Sequence, residues 1–268
     1  MAFAKCPARY TVGNMDPFHI LVILHVIAGA LGLIAFWVPI ATKKGAKNHR
    51  RGGNWALGGF IEAGALAVAM AVYSLIDTSR HPEIADRALY EGLFGWMMLY
   101  LGILTIGFAD YGLAVIRHRA QRHALRRMRY QSVMAAVVVS GIWCGIYGVT
   151  VGDPLMVLVA VVGVVSMLMQ QVYVFREHLP GLRAPPRAAY VGEHFRALIG
   201  MGISAYTAFM SVGLIRLVPE EVFNPLVWAG PSVVGVGLII WFTNQRKQAQ
   251  KQAGKPKERR AHHAEPAE

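Results

Sequence analysis

The chain has 268 residues, of which 55% are hydrophobic and only 16% are charged. Soluble domains carry about 25% charged residues, so this composition excludes an ordinary soluble protein, a disordered chain and a disulfide-rich secreted scaffold. The net charge of +12 would favour a nucleic-acid ligand in a soluble protein, but membrane proteins collect Lys and Arg in their cytoplasmic loops. We therefore expect an all-α, polytopic membrane helix bundle with no nucleic-acid ligand.

Seven segments are long and apolar enough to cross a bilayer as helices, which takes about 20 mostly apolar residues. They are residues 18–41, 54–76, 90–116, 131–151, 154–175, 195–217 and 225–243. Only Gly152, Asp153 and Pro154 separate the fourth span from the fifth, and this turn signal predicts a tight antiparallel hairpin. We predict a membrane domain of residues 1–243 and a basic, disordered tail of residues 244–268.

The charges between the spans alternate along the chain. Residues 42–53 and 117–130 hold five and six Lys and Arg residues and no acid, and the tail from Arg246 holds seven. Residues 77–89 and 218–224 are poor in basic residues. The positive-inside rule then predicts an outside N-terminus, a cytoplasmic C-terminus, and basic loops that contact anionic lipid headgroups at the cytoplasmic face.

Four ionisable residues lie within or at the edge of the spans: His25, Glu62, Asp110 and His194. Each lies on a stripe of small residues, so we expect these side chains to face neighbouring helices and the first, second, third and sixth spans to form an inner cluster. The fourth and fifth spans should lie more towards lipid. The carboxyl groups either form a proton or ion path or make hydrogen bonds that fix the packing, and both interpretations stay open.

The loop before the second span adds further candidates. Residues 43–55 combine five basic residues with His49 and three glycines, a composition that suits anion binding or contact with lipid phosphate. Arg50 in this loop joins Glu62 and Asp110 as a candidate for the proton or ion path. Because the sequence contains no GxSxG, HExxH or CxxC motif, a non-enzymatic protein that moves protons or a small solute is the favoured hypothesis, and no metal site is predicted.

A redox function is the alternative hypothesis. A b-type haem needs two axial ligands at one depth on facing helices, and the candidate ligands are His25, His49 and His194. Such a protein would act with a quinol.

Two blocks of the sequence resemble a bacterial membrane family, the domain-of-unknown-function family numbered 2306. Residues 25–69 carry a helical His, then Gly and Ala, then a KG…HR…G loop that enters the next span. Residues 193–219 open with His194 and continue with Met201, Ser204, Tyr206 and Arg216. The resemblance implies a multi-pass protein of the bacterial inner membrane, marks His25, His49, Arg50 and His194 as motif positions, and implies no activity.

Overall fold

The computed structural model of the protein describes residues 16–77, 87–186, 188–210 and 225–253. Within these ranges all regular secondary structure is helical, which confirms the predicted all-α class. We number the seven long helices α1 (Pro17–Ala41), α2 (Lys47–Ile76), α3 (Arg87–Arg117), α4 (Met128–Val151), α5 (Pro154–Phe175), α6 (Ala189–Ala208) and α7 (Pro225–Ala253). Residues Glu91–Met97 of α3 form a π-helical segment.

Local capping explains where several helices begin and end. Asp16 accepts a hydrogen bond from the backbone N–H of Phe18 at 3.2 Å and so caps α1. Gly152, with φ of +71°, ends α4 in the left-handed conformation that glycine favours. Asp153 then accepts hydrogen bonds from the next helix at Leu155 N and Met156 N. The predicted hairpin between α4 and α5 is confirmed.

The central helix of the bundle is α3, which packs against α2, α4 and α6. On the outside, α1 packs on α2, α5 packs on α4, and α7 packs on α6. The connections α1–α2, α3–α4 and α5–α6 lie at one end of the bundle, which we call the basic end because it holds most of the Arg and Lys residues of the described chain.

Five helices, α1 to α5, are long and apolar enough to cross a membrane among the residues that the structure describes. The last part of the sixth predicted span, residues 211–217, lies outside the described ranges. Seven spans and the orientation of the termini therefore stay predictions. The final helix continues to Ala253, ten residues into the segment predicted as a tail.

One packing prediction is wrong. The least buried of the five apolar helices is α1, rather than α4 or α5. Its contact with α2 is a close backbone approach, where a Cβ on Gly59 would come within 2.7 Å of the Ala28 carbonyl oxygen and the Gly32 nitrogen. Since small residues on one stripe supply this contact, the remaining faces of α1 stay exposed.

Candidate functional site

The contact between α3 and α6 contains a buried pair of hydroxyl groups. The side-chain oxygens of Thr105 and Ser204 lie 3.0 Å apart, and both residues are buried. Thr105 also donates to the carbonyl oxygen of Leu101, one turn earlier in α3, at 2.7 Å. A threonine hydroxyl has one proton to donate, so Ser204 is the donor in the bond between the two helices.

Closer to the basic end, the same two helices bury a carboxyl group. Glu193 of α6 is only 7% exposed and accepts a hydrogen bond from the Tyr111 hydroxyl of α3 at 3.1 Å. The Arg196 guanidinium, three residues along α6, donates to the second carboxyl oxygen. A buried carboxylate needs such partners, and here a phenol and a cation supply them. Thr105, Tyr111, Glu193 and Ser204 together form what we call the polar seam.

A histidine and a glycine bring the two helices together next to this carboxyl group. His194 Nδ1 lies 2.9 Å from the carbonyl oxygen of Gly112. A Cβ on Gly112 would come within 2.7 Å of a Leu198 methyl carbon, so a side chain there would force the helices apart. The antiparallel seam therefore has a fixed register, with hydroxyl groups near its middle and the carboxyl group near the basic end.

The predicted haem ligands divide into two groups. His49 and His194 both lie near the basic end, and His49 Nδ1 is 3.1 Å from the Pro39 carbonyl oxygen. His25 Nδ1 lies instead 2.9 Å from the carbonyl oxygen of Ala63, fourteen residues further along α2 than His49. At 1.5 Å per residue this separation is about 21 Å, so His25 cannot share an axial ligand pair with His49. Haem binding by His49 and His194 stays a prediction.

The three candidates for a proton or ion path do not meet in the structure. Glu62 lies on the exposed face of α2, so the prediction that it faces a neighbouring helix is wrong within this chain. Asp110 forms an ion pair with Arg129 of α4 at 2.7 Å. Arg50 is exposed at the basic end. Their separation reflects the helix faces on which they lie, and a role in transport stays a prediction for each.

A small pocket of about 10 Å³ lies beside the seam. Asp110 and Tyr111 contribute to its wall from α3, and Tyr130 contributes from α4. This volume is about what one water molecule needs, and the carboxylate and phenol groups supply polar partners for it. Tyr111 therefore lines this pocket and also donates a hydrogen bond to the buried Glu193.

A second, larger pocket of about 320 Å³ lies between α3 and α4. Trp96 and Trp143 line it, with ring centroids 5.5 Å apart, together with Leu99, Ala136, Val139 and Ser140. The Ser140 hydroxyl already donates to the Ala136 carbonyl oxygen at 2.7 Å. The walls are therefore mostly apolar and suit an apolar chain better than a polar solute.

The residues that define the polar seam were not among the predicted site residues, apart from the motif position Ser204. Glu193 falls between the fifth and sixth predicted spans, whereas α6 begins at Ala189 and places the carboxyl group inside the helix, facing α3. Thr105 and Tyr111 are ordinary residues for an apolar span. A usable signal was available, since an acidic residue next to a predicted span is costly to bury without a partner.

The comparisons with known proteins correct the family resemblance. Residues 96–176 match the model of the MtN3/slv family, described as sugar efflux transporter for intercellular exchange. The predicted resemblance to the family numbered 2306 was wrong, because this match is to a different family, and one with a named function. No curated protein and no solved structure matches the chain. The matched residues cover most of α3 and all of α4 and α5, and over this region the chain is similar to a family of membrane sugar transporters.

Proposed function

We propose that the protein moves a small, uncharged, hydroxyl-rich solute of the sugar class across a membrane, along the polar seam between α3 and α6. The observation that carries this proposal is the Thr105–Ser204 hydrogen bond, buried where the central helix meets α6. The partial match to sugar efflux transporters supports the same solute class, since it includes most of the central helix. Of the two cargoes expected from the sequence, protons or a small solute, this proposal selects the small solute.

The chemistry of the seam suits a solute with many hydroxyl groups. Hydroxyl groups both donate and accept hydrogen bonds, so Thr105 and Ser204 can exchange their mutual bond for bonds to a solute. Tyr111 adds a third hydroxyl group and Glu193 adds acceptor oxygens nearer the basic end. Because buried polar groups must keep partners inside a membrane, a solute that replaces each bond as it passes lowers the barrier to opening the seam.

Transport by purified protein in liposomes tests the proposal. Uptake of radiolabelled monosaccharides and disaccharides is compared with protein-free liposomes. Ser204→Ala and Tyr111→Phe remove one hydroxyl group each with little change in volume, and we expect both to reduce the uptake of any transported sugar. The matched control is Ser166→Ala on α5, a half-buried serine that bonds to the Val162 carbonyl oxygen of its own helix at 2.7 Å. The absence of uptake across the sugar panel, or equal uptake by all variants, would contradict the proposal.

We also propose that the basic end faces the cytoplasm of a bacterial cell and that α6 and α7 complete seven spans. The positive-inside rule supports this orientation, because the α1–α2 and α3–α4 connections carry Lys and Arg without acidic residues. A cysteine introduced at Ala46, in the α1–α2 connection, should not react with a membrane-impermeant maleimide in intact cells. It should react after the membrane is permeabilised. Labelling of Ala46→Cys in intact cells would reverse the orientation.

A further inference from the structure

Two cations from different parts of the chain rest on adjoining aromatic rings at the basic end. Lys44, in the α1–α2 connection, places Nζ 4.5 Å from the ring centroid of Phe242 in α7. The guanidinium of Arg246, one turn further along α7, lies 5.9 Å from the ring centroid of Phe195 in α6. The two rings contact each other, with centroids 5.9 Å apart. The cations therefore share one corner of the bundle, which we call the cationic corner.

Neither cation of this corner has a carboxylate partner among the described residues. Lys44 Nζ donates to the carbonyl oxygens of Pro39 and Ile40, both at 2.7 Å. Arg246 donates to the carbonyl oxygen of Ala188 at 2.8 Å. These acceptors are neutral, so no anion within the described part of the chain compensates either positive charge.

Glu193, two residues before Phe195 in the sequence, is already hydrogen-bonded to other side chains. Glu193 bonds to Tyr111 and to Arg196, and Arg196 itself interacts unfavourably with Arg246. Partial burial lowers the pKa of Lys44, as expected for an ammonium group whose side-chain acceptors among the described residues are neutral. An anionic ligand would favour the charged form of both side chains.

The two cations keep donors that a ligand can use. Lys44 has three N–H groups, and two of them donate to carbonyl oxygens. Arg246 has five N–H groups, and one of them donates to the carbonyl oxygen of Ala188. A Cβ on Gly192 would come within 2.7 Å of Arg246 Nη1, so the glycine lets the guanidinium lie close against α6.

We propose that Lys44 and Arg246 hold a phosphate group, either that of an anionic lipid headgroup or that of a soluble phosphate ester. Arginine suits this ligand because its planar fork bonds to two phosphate oxygens, and lysine adds a point charge. Trp241 is half-exposed and lies 4.7 Å from the Phe242 ring, so an apolar wall adjoins the cations as at a membrane interface. A phosphate bound here would join α7 to α6 and to the α1–α2 connection. This site is separate from the polar seam and does not depend on the proposed solute.

Lipid titration measured by native mass spectrometry tests the site in the full-length protein. The probes are dioleoylphosphatidylglycerol, dioleoylphosphatidylcholine and inorganic phosphate. We expect tighter binding of phosphatidylglycerol than of phosphatidylcholine. Each of Lys44→Gln and Arg246→Gln should weaken it about fivefold, and the double variant about 25-fold, as for basic residues near an anionic membrane surface. The matched control is Lys47→Gln, which removes an exposed lysine at the start of α2 and should leave the affinity within about twofold.

The outcomes separate the two sources of phosphate. Thermal stabilisation of the parent by inorganic phosphate, lost in the double variant and without a preference for phosphatidylglycerol, would assign the site to soluble phosphate esters. If the glutamine variants do not fold, the charge-preserving Lys44→Arg should fold and retain binding. Arg246→Lys should also fold, but it should bind more weakly because it keeps the charge and loses the planar fork. Equal affinities of parent and double variant, an equal loss in Lys47→Gln, or no response of the parent to either anion would overturn the proposal.

Discussion

A double-mutant cycle on Thr105 and Ser204 tests the hydrogen bond at the centre of the polar seam. Thr105→Val keeps the shape of the side chain and removes the acceptor, and Ser204→Ala removes the donor. An unsatisfied buried hydroxyl costs about 1–3 kcal/mol, so neither single variant should lower the free energy of unfolding by more than about 3 kcal/mol. The serine left alone can instead turn to a carbonyl oxygen of its own helix and recover part of this energy.

The expected coupling energy follows from this competition. Hydrogen bonds between membrane helices average about 0.6 kcal/mol and reach about 1.7 kcal/mol in double-mutant cycles. The 3.0 Å separation and the burial of both residues place Thr105 and Ser204 between these values. We therefore expect a coupling energy of about 0.6–1.7 kcal/mol.

Unfolding in mixed detergent–SDS micelles gives the four free energies of the cycle. The control cycle pairs Thr105→Val with Ser166→Ala, and it should show no coupling because the Ser166 hydroxyl bonds within α5. A Thr105–Ser204 coupling below about 0.3 kcal/mol, the usual error of additivity, would refute the assigned interhelical bond.

Three further predictions concern packing, an exposed acid and a titrating histidine. Gly163→Ala should destabilise by about 1–3 kcal/mol, because its Cβ would overlap the hydroxyl of a fully buried tyrosine. In Gly58→Ala the added Cβ meets no atom within 4 Å, so this variant should be neutral or stabilising. Thermal melts of both glycine variants in detergent measure these changes. Glu62→Gln and Glu62→Ala should each change stability by less than about 0.5 kcal/mol because the side chain is exposed, and a loss above 1 kcal/mol would contradict this placement. Burial and then Arg127 lower the pKa of His118, so Arg127→Ala should raise this pKa in an NMR titration. Since the folded pKa lies below the unfolded value near 6.5, His118 favours the fold above that pH, and its contribution falls as the pH drops.

The apolar spans and the turn between α4 and α5 could be predicted from sequence because their causes are local. A bilayer sets the length of an apolar helix, and a glycine followed by an aspartate cap and a proline ends one helix and starts the next. The observed α4 and α5 begin and end within three residues of the predicted spans. The concentration of basic residues at one end follows equally from their positions along the chain.

The partners of individual side chains depend on tertiary packing. Helix α2 carries small residues on two faces, and both faces satisfy the same pattern of 3.6 residues per turn. The structure buries the face with Gly59 and Ala63 and exposes the face with Gly58, Glu62 and Ala65. Periodicity defines each stripe, but only the neighbouring helices determine which stripe is covered.

Glu62 was predicted to face a neighbouring helix and is exposed, whereas Glu193 was not predicted to do so and is buried against α3. Glu193 lies between the fifth and sixth predicted spans, yet α6 begins at Ala189 and the carboxyl group accepts a hydrogen bond from Tyr111 on α3. Sequence by itself determined a helical membrane protein with one strongly basic end, because length, hydropathy and charge act locally. The choice between a carboxyl group in contact with a neighbouring helix and one exposed on the bundle surface was made only by the tertiary structure, because it depends on how each helix is rotated about its axis against its neighbours.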